Sequence, residues 1–483
     1  MKKISLLLFS LIVGAFVLYS CEDEDDNAVP VNDFIWKGLN LYYLWQEEIP
    51  NLADNKFGNQ AQLNSFLTAY SPEELFESLL YQRGVVDRWS VLFSDFHVLE
   101  NALQGVAKST GAEFGLVYAD DSQTTVIGYV RYILPNSDAA SKDIQRGDIF
   151  YAVNGTALTV NNYRDLLNQD SYTLNFADLS NGVVTPNGQQ VTLTKTEYAE
   201  NPVYKTEIIN EGSHTIGYLM YNGFYSNYDA DLNNAFGTLK NAGVTDLVLD
   251  LRYNGGGSVQ TATSLASMIT GQFHGQTFAS EQWNSKLQAY YESNNPSALI
   301  NRFDIRLADG SGTLLNSLNL SKVYILTTQS TASASELVIN CLKPYITVVT
   351  IGTKTTGKNV GSVTLYDSPD YTANGRNGSH TYAMQPIVLK IVNKDGFGDY
   401  SNGIAADFQI SEDLENLGGL GQPTEPYLAT AISQITANDR RRPDLPRNVR
   451  KHFKDSKSMH RFGNEMYIDQ LPPGSEGLKK NIQ

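Results

Sequence analysis

The strongest constraint on the fold is the alternation of buried strands and helices between residues 204 and 436. Apolar runs such as "DLVLDL" (246–251) and "KVYILTT" (322–328) are typical of strands buried on both faces. Helical stretches of about 10 to 15 residues separate such runs, among them "SVQTATSLASMITG" and "SASELVINCLK". This order predicts an α/β core.

The region before this core has a helical pattern. "NDFIWKGLNLYYLWQEEI" and "SPEELFESLLYQ" carry apolar residues at helical spacing. The second begins with Ser71-x-x-Glu74, the spacing of a capping box. We therefore predict an N-terminal helical cap over residues 31–99.

Residues 100–202 show short alternating strands, such as "TTVIGYVRYIL" and "YTLNFADL", with a helix predicted at "SDAASKDIQ" before Arg146. Together with "GAEFGL" (111–116) and "RGDIFYAVNG", they resemble a PDZ domain. The resemblance implies that a peptide pairs with a strand edge and that backbone N–H groups hold its terminal carboxylate. The implied substrate-binding residues are Glu113, Phe114, Gly115 and Leu116. An unrelated small β-domain is the alternative.

The N-terminus predicts export. Lys2 and Lys3 precede the apolar run "ISLLLFSLIVGAFVLY", which is too short to span a bilayer well. The junction "LYSC" resembles the lipobox of bacterial lipoproteins, which implies removal of residues 1–20 and lipidation of Cys21. A simple secretory signal with an incidental cysteine is the alternative.

An acidic linker, residues 21–30, follows and contains "EDEDD". Such a run is often only a solvated linker. In this position it also resembles the surface-export signal of Bacteroidetes lipoproteins. We therefore expect an outer-membrane lipoprotein of the cell envelope, on its periplasmic side or on the cell surface.

The charge balance limits the partners. The formal net charge is −16, and nucleic-acid binding needs a basic face, so no nucleic-acid partner is expected. Residues 437–483, in contrast, carry an excess of Lys and Arg together with several prolines. We predict a mobile, solvated extension there, and contact with anionic lipid is the alternative.

Metal and thiol chemistry have no support in the sequence. No H-E-x-x-H or C-x-x-C occurs and the six histidines are scattered singly, so neither a metal nor a cofactor is expected. Cys341 lies in an apolar helical pattern, which predicts a buried small hydrophobe and not a nucleophile.

The turn "IGTKTTGKN" (351–359) is close to a phosphate-binding loop. That loop needs a hydroxyl directly after its lysine and a helix beyond it. Here Asn359 follows Lys358, and "VGSVTLYDS" continues with a strand pattern. The nucleotide interpretation therefore fails, and a solvated loop lysine or a base in another reaction remains.

Two other turns follow buried strands of the same core: the triple glycine of "DLRYNGGGS" and the small residues of "TTQSTASASELV". A serine at a helix N-terminus lies among free N–H groups, and a glycine turn lets backbone donors approach a ligand. With a desolvated lysine as base, these are the parts of a nucleophilic site with an oxyanion hole. A helix-capping serine and a plain tight turn are the alternatives. Asp250 and Arg252 are predicted to hold the turn.

"STASASE", "DLRYNGGGS", the 25-residue step from Ser333 to Lys358 and the PDZ-like segment together resemble the C-terminal processing peptidases, also called tail-specific proteases. The resemblance covers residues 31–436. It implies an α/β, crotonase-like core over residues 203–436 with an inserted PDZ-like domain over residues 100–202. It also implies protein or peptide substrates with free C-termini.

Residue by residue, the resemblance makes Ser333 the nucleophile, Lys358 the base, and the N–H groups of Gly256 and Ala334 the oxyanion donors. Many members have a glutamine four residues after the lysine to orient it, and Ser362 stands there in this chain.

Two function classes remain. One is a membrane-anchored serine endopeptidase that cuts near C-terminal tails through an acyl-enzyme. The other is a catalytically weak or inactive lipoprotein that binds peptides at the PDZ-like site. A lipid-acyl hydrolase with the same dyad is a third hypothesis.

Overall fold

The structure, a computed structural model, describes residues 29–437, 449–460 and 462–472. These residues form a mixed α/β protein. The predicted signal segment, the acidic run and Cys21 lie outside them. None of the helices within the described ranges is both long enough and apolar enough to cross a membrane.

The described chain begins with three helices: α1 (Pro30–Tyr42), α2 (Gln60–Leu67) and α3 (Pro72–Ser78). The predicted capping box is present at α3. Ser71 N–H donates to Glu74 Oε2 at 3.1 Å, and Glu74 N–H donates to Ser71 Oγ at 3.3 Å. The apolar side chains of α1 are buried in the largest apolar cluster of the molecule, so these helices share the core of the residues that follow.

After β1 (Val91–Phe93) and α4 (Phe96–Leu103), the chain forms a β-rich region with its own apolar cluster. Its elements are β2 (Val106–Ser109), β3 (Ala112–Tyr118), β4 (Val126–Ile133), β5 (Ile149–Val153), β6 (Thr156–Ala157), α5 (Tyr163–Leu167), β7 (Ser171–Ser180), β8 (Val183–Thr194) and β9 (Thr196–Ala199). Strands β3, β4, β5, β7 and β8 are antiparallel neighbours in that order, β6 pairs with β5, and β2 pairs with β9.

The helix predicted at "SDAASKDIQ" is wrong. Only a single 3-10 turn forms there, over Ala139–Ser141. Hydrogen bonds fix the chain in a turn directly afterwards, because Gln145 N–H donates to Asp148 Oδ2 at 2.8 Å and Arg146 Nη1 donates to Arg131 O at 2.8 Å. The stretch that remains is too short for an α-helix.

The predicted strands and helices of the α/β core are present. The elements of this part are β10 (Val203–Glu211), β11 (His214–Tyr221), α6 (Asp229–Asn241), β12 (Asp246–Asp250), β13 (Gly257–Ser258), α7 (Val259–Thr270), β14 (Thr277–Trp283), α8 (Ser285–Asn294), β15 (Ile300–Arg302), β16 (Lys322–Thr327), α9 (Ala334–Leu342), β17 (Thr347–Gly352), β18 (Val360–Ser362), β19 (Leu365–Tyr366), β20 (Ala383–Gln385), β21 (Ile387–Asn393), β22 (Phe408–Gln409) and α10 (Pro426–Thr436).

The main sheet of this core has the order β10-β11-β12-β16-β17-β22, with parallel pairing from β11 to β22. The carboxyl ends of parallel strands meet at one edge of a sheet, which is where α/β proteins place their ligands. The turns that follow β12, β16 and β17 therefore lie side by side. A smaller sheet has the order β1-β20-β19.

The last described residues contain two strands, β23 (His452–Asp455) and β24 (Met466–Tyr467). Strand β23 pairs antiparallel with β3, and β24 lies between β13 and β18 in a sheet of order β13-β24-β18-β21-β14-β15. The described part of residues 437–483 is therefore not the mobile extension that we predicted. Its basic composition was misleading because strand pairing uses backbone groups and needs few apolar side chains.

A buried ion-pair network anchors the turn after β12. Arg252 is fully buried, and its Nε donates to both carboxylate oxygens of Asp250, at 2.9 and 3.0 Å. Its Nη1 and Nη2 donate to the two carboxylate oxygens of Glu425 at 2.7 and 3.0 Å. Glu425 precedes α10, so the network joins this helix to the turn. This is the structural role predicted for Asp250 and Arg252.

Candidate active site

Ser333 lies between β16 and α9, immediately before the helix begins. Its φ of 64° and ψ of −117° are unusual for a residue with a β-carbon, and such backbone strain is often found at functional sites. The residue is fully buried, and its Oγ has no hydrogen-bond partner among the described residues. Leaving a buried hydroxyl unpaired costs free energy, so a role in stability does not explain this side chain.

Glu336, in the first turn of α9, connects the serine turn to the lysine turn. Its Oε2 accepts from the N–H groups of Ser333 and Lys358, both at 2.8 Å. Its Oε1 accepts from Gly357 N–H at 2.7 Å and from the Thr355 hydroxyl. Burial raises the pKa of Glu336, and these hydrogen bonds oppose the rise. Because one oxygen binds both N–H groups, the backbones of Ser333 and Lys358 are adjacent.

Glu336 was not predicted as a site residue from the sequence. The signal was available, because a glutamate three residues after a serine has the spacing of a capping box. That pattern predicts a bond to the N–H of Ser333. It does not predict the bonds to the second turn, which depend on the order of strands in the sheet.

Lys358 is fully buried and is not a solvated loop lysine. Its Nζ donates to Asn464 O at 3.0 Å and to the carboxylate of Glu465, and it lies 4.9 Å from the ring centroid of Trp89. Burial lowers the pKa of Lys358, and the nearby Glu465 carboxylate opposes this. Burial also raises the pKa of Glu465, with Lys358 opposing.

The triple-glycine turn lies against Ser333. Gly256 has a φ of 109°, and a β-carbon there would lie 2.6 Å from Ser333 Cβ and 2.9 Å from Ala334 N. Only glycine fits such a close approach. Gly256 N–H donates to Asn254 Oδ1 at 2.8 Å, whereas Ala334 is the first residue of α9, where helices leave N–H groups unbonded. Both predicted oxyanion donors are therefore next to the serine, one of them held by Asn254.

Ser362 makes its hydrogen bonds away from the lysine. Its hydroxyl donates to Met466 O at 3.2 Å and accepts from Gln385 Nε2 at 3.1 Å. Within the described residues, Asn464 and Glu465 are the hydrogen-bond partners of the Lys358 amine.

Residues of the C-terminal tail (449–460 and 462–472) lie beside both the glycine turn and the Lys358 amine, which the sequence did not predict. The carbonyl oxygen of Glu465 lies beside Gly256, and the carboxylate of Glu465 binds Lys358. The carbonyl oxygen of Gly463 lies beside Gly255. These contacts use backbone atoms and one charged side chain, so no sequence pattern reveals them.

The predicted carboxylate-binding segment lies in β3, at an edge that β23 covers. Phe114 N–H donates to Ser456 Oγ at 3.1 Å, and Ser456 N–H donates to Phe114 O at 3.0 Å. The Ser456 hydroxyl in turn donates to the Glu113 carboxylate. The register pairs the next residues of β3 with the tail, Gly115 opposite Asp455 and Leu116 opposite Lys454. This edge therefore binds an extended segment of the same chain.

Within the part of the chain that the structure describes, no cluster of His, Cys, Asp or Glu is arranged to hold a metal ion. Cys341 is buried, as predicted, and burial raises the pKa of its thiol. A thiol with a raised pKa is a poor nucleophile, so the serine remains the candidate.

Comparisons with known proteins bear on the family. A model of peptidase family S41 matches residues 215–383, which include the glycine turn, Ser333 and Lys358. A model of the peptidase S41 N-terminal domain matches residues 30–91. The chain belongs to peptidase family S41. It is thereby a member of a family of serine-type, C-terminal processing peptidases.

This S41 peptidase is 27% identical over 353 residues to the chloroplast C-terminal processing peptidase of Tetradesmus obliquus. The aligned residues cover 69% of this chain and 71% of that relative. It is 26% identical over 270 residues to the chloroplast carboxyl-terminal-processing peptidase 2 of Arabidopsis thaliana, and spans 48% of that relative. A solved Bacteroides fragilis structure assigned to the S41 proteases is also similar, with a TM-score of 0.64 and 27% identity over 84% of this chain and 97% of that one. The crotonase-like core and the PDZ-like insert stay predictions.

Proposed function

We propose that this S41 peptidase is a serine endopeptidase with a Ser333/Lys358 dyad. One observation carries the proposal. A buried serine hydroxyl with no partner in the described part of the chain lies at a helix N-terminus, and Glu336 joins its turn to that of a fully buried lysine. A desolvated amine loses its charge more readily than an exposed one. A neutral amine can accept the proton of a serine hydroxyl.

In the proposed reaction, Ser333 Oγ attacks the carbonyl carbon of a peptide bond and its proton passes to Lys358 Nζ. The carbonyl oxygen becomes an oxyanion that accepts hydrogen bonds from Ala334 N–H and, once Asn254 releases it, from Gly256 N–H. The ammonium group then protonates the leaving nitrogen as the C–N bond breaks, which leaves an acyl-enzyme. Water attacks this ester, giving its proton to Lys358, and the same proton returns to Ser333 Oγ.

We propose polypeptides with free C-termini as substrates. An extended polypeptide can add to the edge of β3 by backbone hydrogen bonds, with its terminal carboxylate at Phe114 N–H. In the structure that N–H binds the Ser456 hydroxyl, which supports an oxygen ligand at this position.

We also propose that the enzyme is a lipoprotein of the cell envelope, attached through Cys21 to the outer membrane on its periplasmic side or on the cell surface. The basic start, the apolar run and the "LYSC" junction support this placement. An enzyme anchored in this way meets exported polypeptides.

The test of the function is hydrolysis of an unfolded polypeptide, such as reduced and alkylated casein, with products identified by mass spectrometry. Cleavage by the wild type that is lost in Ser333→Ala supports the proposal. Equal cleavage by both proteins contradicts it. If the wild type and a Glu465 variant both bind peptides without cleaving them, the alternative of an inactive binding lipoprotein is favoured.

Gly256→Ala is expected to lower kcat by roughly 10²- to 10³-fold, the usual cost of losing one oxyanion donor. The new β-carbon would press on Ser333 Cβ, and alanine resists a φ of 109°. Gly243→Ala is the matched control, because Gly243 also has a positive φ but has open space around it. Steady-state kinetics of both variants check this. Equal activity in the two would show that Gly256 has no part in catalysis.

The pH dependence of kcat/KM should follow the protonation state of Lys358. We expect kcat/KM to rise with pH as Lys358 loses its proton, and the midpoint to lie below the usual lysine range because burial lowers the pKa of Lys358. Glu465 acts in the opposite direction, so Glu465→Gln should move the midpoint to lower pH. Asp469→Asn, also in the tail but bonded to Ser258, is the control. An unchanged midpoint in Glu465→Gln would separate Glu465 from the base.

A further inference from the structure

Residues 452–460 and 462–467, here called the tail segment, lie first on the edge of β3 and then at the catalytic pair. The segment begins as β23 on β3 and ends as β24 between the glycine turn and β18. The two places where the proposed function needs a substrate are thus occupied by the same stretch of chain.

The contact with the β-rich region is specific. Phe453 packs between the rings of Tyr118 and Tyr163, with centroid distances of 5.2 and 5.0 Å. Asp455 is buried and accepts from Arg131 Nη1 at 3.2 Å. Burial raises the pKa of Asp455, but Arg131, together with His452 and hydrogen bonds from Ser330 and Ser458, outweighs it and holds the pKa below the usual range. A charged carboxylate in a buried position requires an oppositely charged group that is held next to it.

The middle of the segment is also held by polar contacts. Lys457 Nζ donates to Asn222 O at 2.7 Å and to Glu200 Oε1 at 3.2 Å. Glu200 is largely buried, so here too a charged group of the tail meets an opposite charge out of water. The segment is therefore bound along its length.

At the catalytic pair the tail segment binds Lys358, the proposed base. Lys358 Nζ is bonded to Asn464 O and to the Glu465 carboxylate, while Ser333 Oγ has no partner among the described residues. An amine that donates to these oxygens is turned to the segment and not to the serine, and the Glu465 carboxylate opposes the loss of its proton. The Met466 backbone continues beside Ser362, whose hydroxyl donates to Met466 O at 3.2 Å.

We propose that the tail segment is an intramolecular inhibitor that lies in the enzyme's own peptide-binding track, with Glu465 holding Lys358. The inference rests on the proposed function, since it takes Ser333 and Lys358 as the dyad. It names the regulation of that site and the ligand of the β3 edge, a segment of this chain. A substrate polypeptide must displace this segment before the serine regains its base.

The first test reverses the charge of Glu465, the residue that binds the lysine. Glu465→Lys places an ammonium group beside Lys358 and should expel the segment, so we expect kcat/KM on unfolded casein to rise by roughly tenfold or more, as for loss of a tethered competitor. Glu48→Lys makes the same charge change at an exposed position and should leave kcat/KM unchanged. If wild type and Glu465→Lys cleave at equal rates, the proposal is overturned.

The second test locks the segment in place. Val117 and His452 are opposite one another in the β3–β23 pair, so cysteines at both positions can form a disulfide. We expect the oxidised double variant to be inactive and a reductant to restore activity, while Val117→Cys alone responds to neither. Full activity in the oxidised form would overturn the proposal. So would a purified wild type that has lost residues 466–483, because the segment would then be a substrate.

A third measurement separates this inference from the proposed function. Hydrogen exchange of Ser333→Ala, which needs no catalysis, should show protected amides over residues 452–455, and adding Glu465→Lys should reduce that protection. If the amides are protected but no variant cleaves polypeptides, the proposed function fails and the tail contact stands. If the wild type cleaves while these amides exchange freely, the inhibitor proposal fails and the function stands.

Discussion

Ser333→Ala is expected to lower kcat by about 10⁴-fold or more, because removing a nucleophile leaves only the help of binding and oxyanion stabilisation. The loss should be measured in the wild-type and Glu465→Lys chains, so that inhibition by the tail segment does not hide it. Ser335→Ala is the matched control. Ser335 lies two residues later, in the first turn of α9, and is equally buried, but its Oγ donates to Asn254 O at 3.1 Å, and we expect a much smaller effect.

Lys358 provides the check that the serine acts as half of a pair. Lys358→Met keeps the length and apolar stem of the side chain but cannot accept a proton, so it should lose about as much activity as Ser333→Ala. Residues that act as a unit are not additive, and the double variant should be no worse than either single one. Losses that add in the double variant would show two separate roles and would contradict the dyad.

Arg252→Ala is expected to lower the free energy of unfolding by about 3–5 kcal/mol, because it leaves buried carboxylates without their partner. Arg252 has no exposed surface and binds Asp250 and Glu425 at once. Lys108→Ala is the control, since Lys108 and Asp170 form an exposed pair that should contribute less than about 1 kcal/mol.

Urea denaturation followed by circular dichroism measures both variants. The midpoint of the Arg252 variant should fall while that of the Lys108 variant stays near the wild type. Equal losses in the two variants would mean that the network does not anchor the turn.

The sequence predicted the elements that are long and strongly periodic. Strands β12, β16 and β17 and helices α7 and α9 were predicted because an apolar run or a helical stripe extends over most of each. The short segment after Ser137 was predicted as a helix and is a single turn, because contacts of Arg146 from outside the segment decide its structure.

The candidate site was predicted in part. The spacing of Ser333, Lys358 and Gly256 indicated three turns at one edge of a sheet, and the strand order explains why they meet. The roles of Glu336 and Glu465 could not be predicted, because each depends on which turns and which distant segment lie next to it. Glu465 stands 107 positions after the lysine that it binds, and no local pattern carries that information.

The carboxylate of Glu336 accepts hydrogen bonds from the backbones of both Ser333 and Lys358. The turns that carry the nucleophile and the base are therefore fixed relative to each other. Passage from the resting to the working enzyme is then an exchange of ligands on a preformed scaffold, without any refolding of the catalytic turns. The lag before the first turnover should therefore be set by the rate at which the tail segment dissociates.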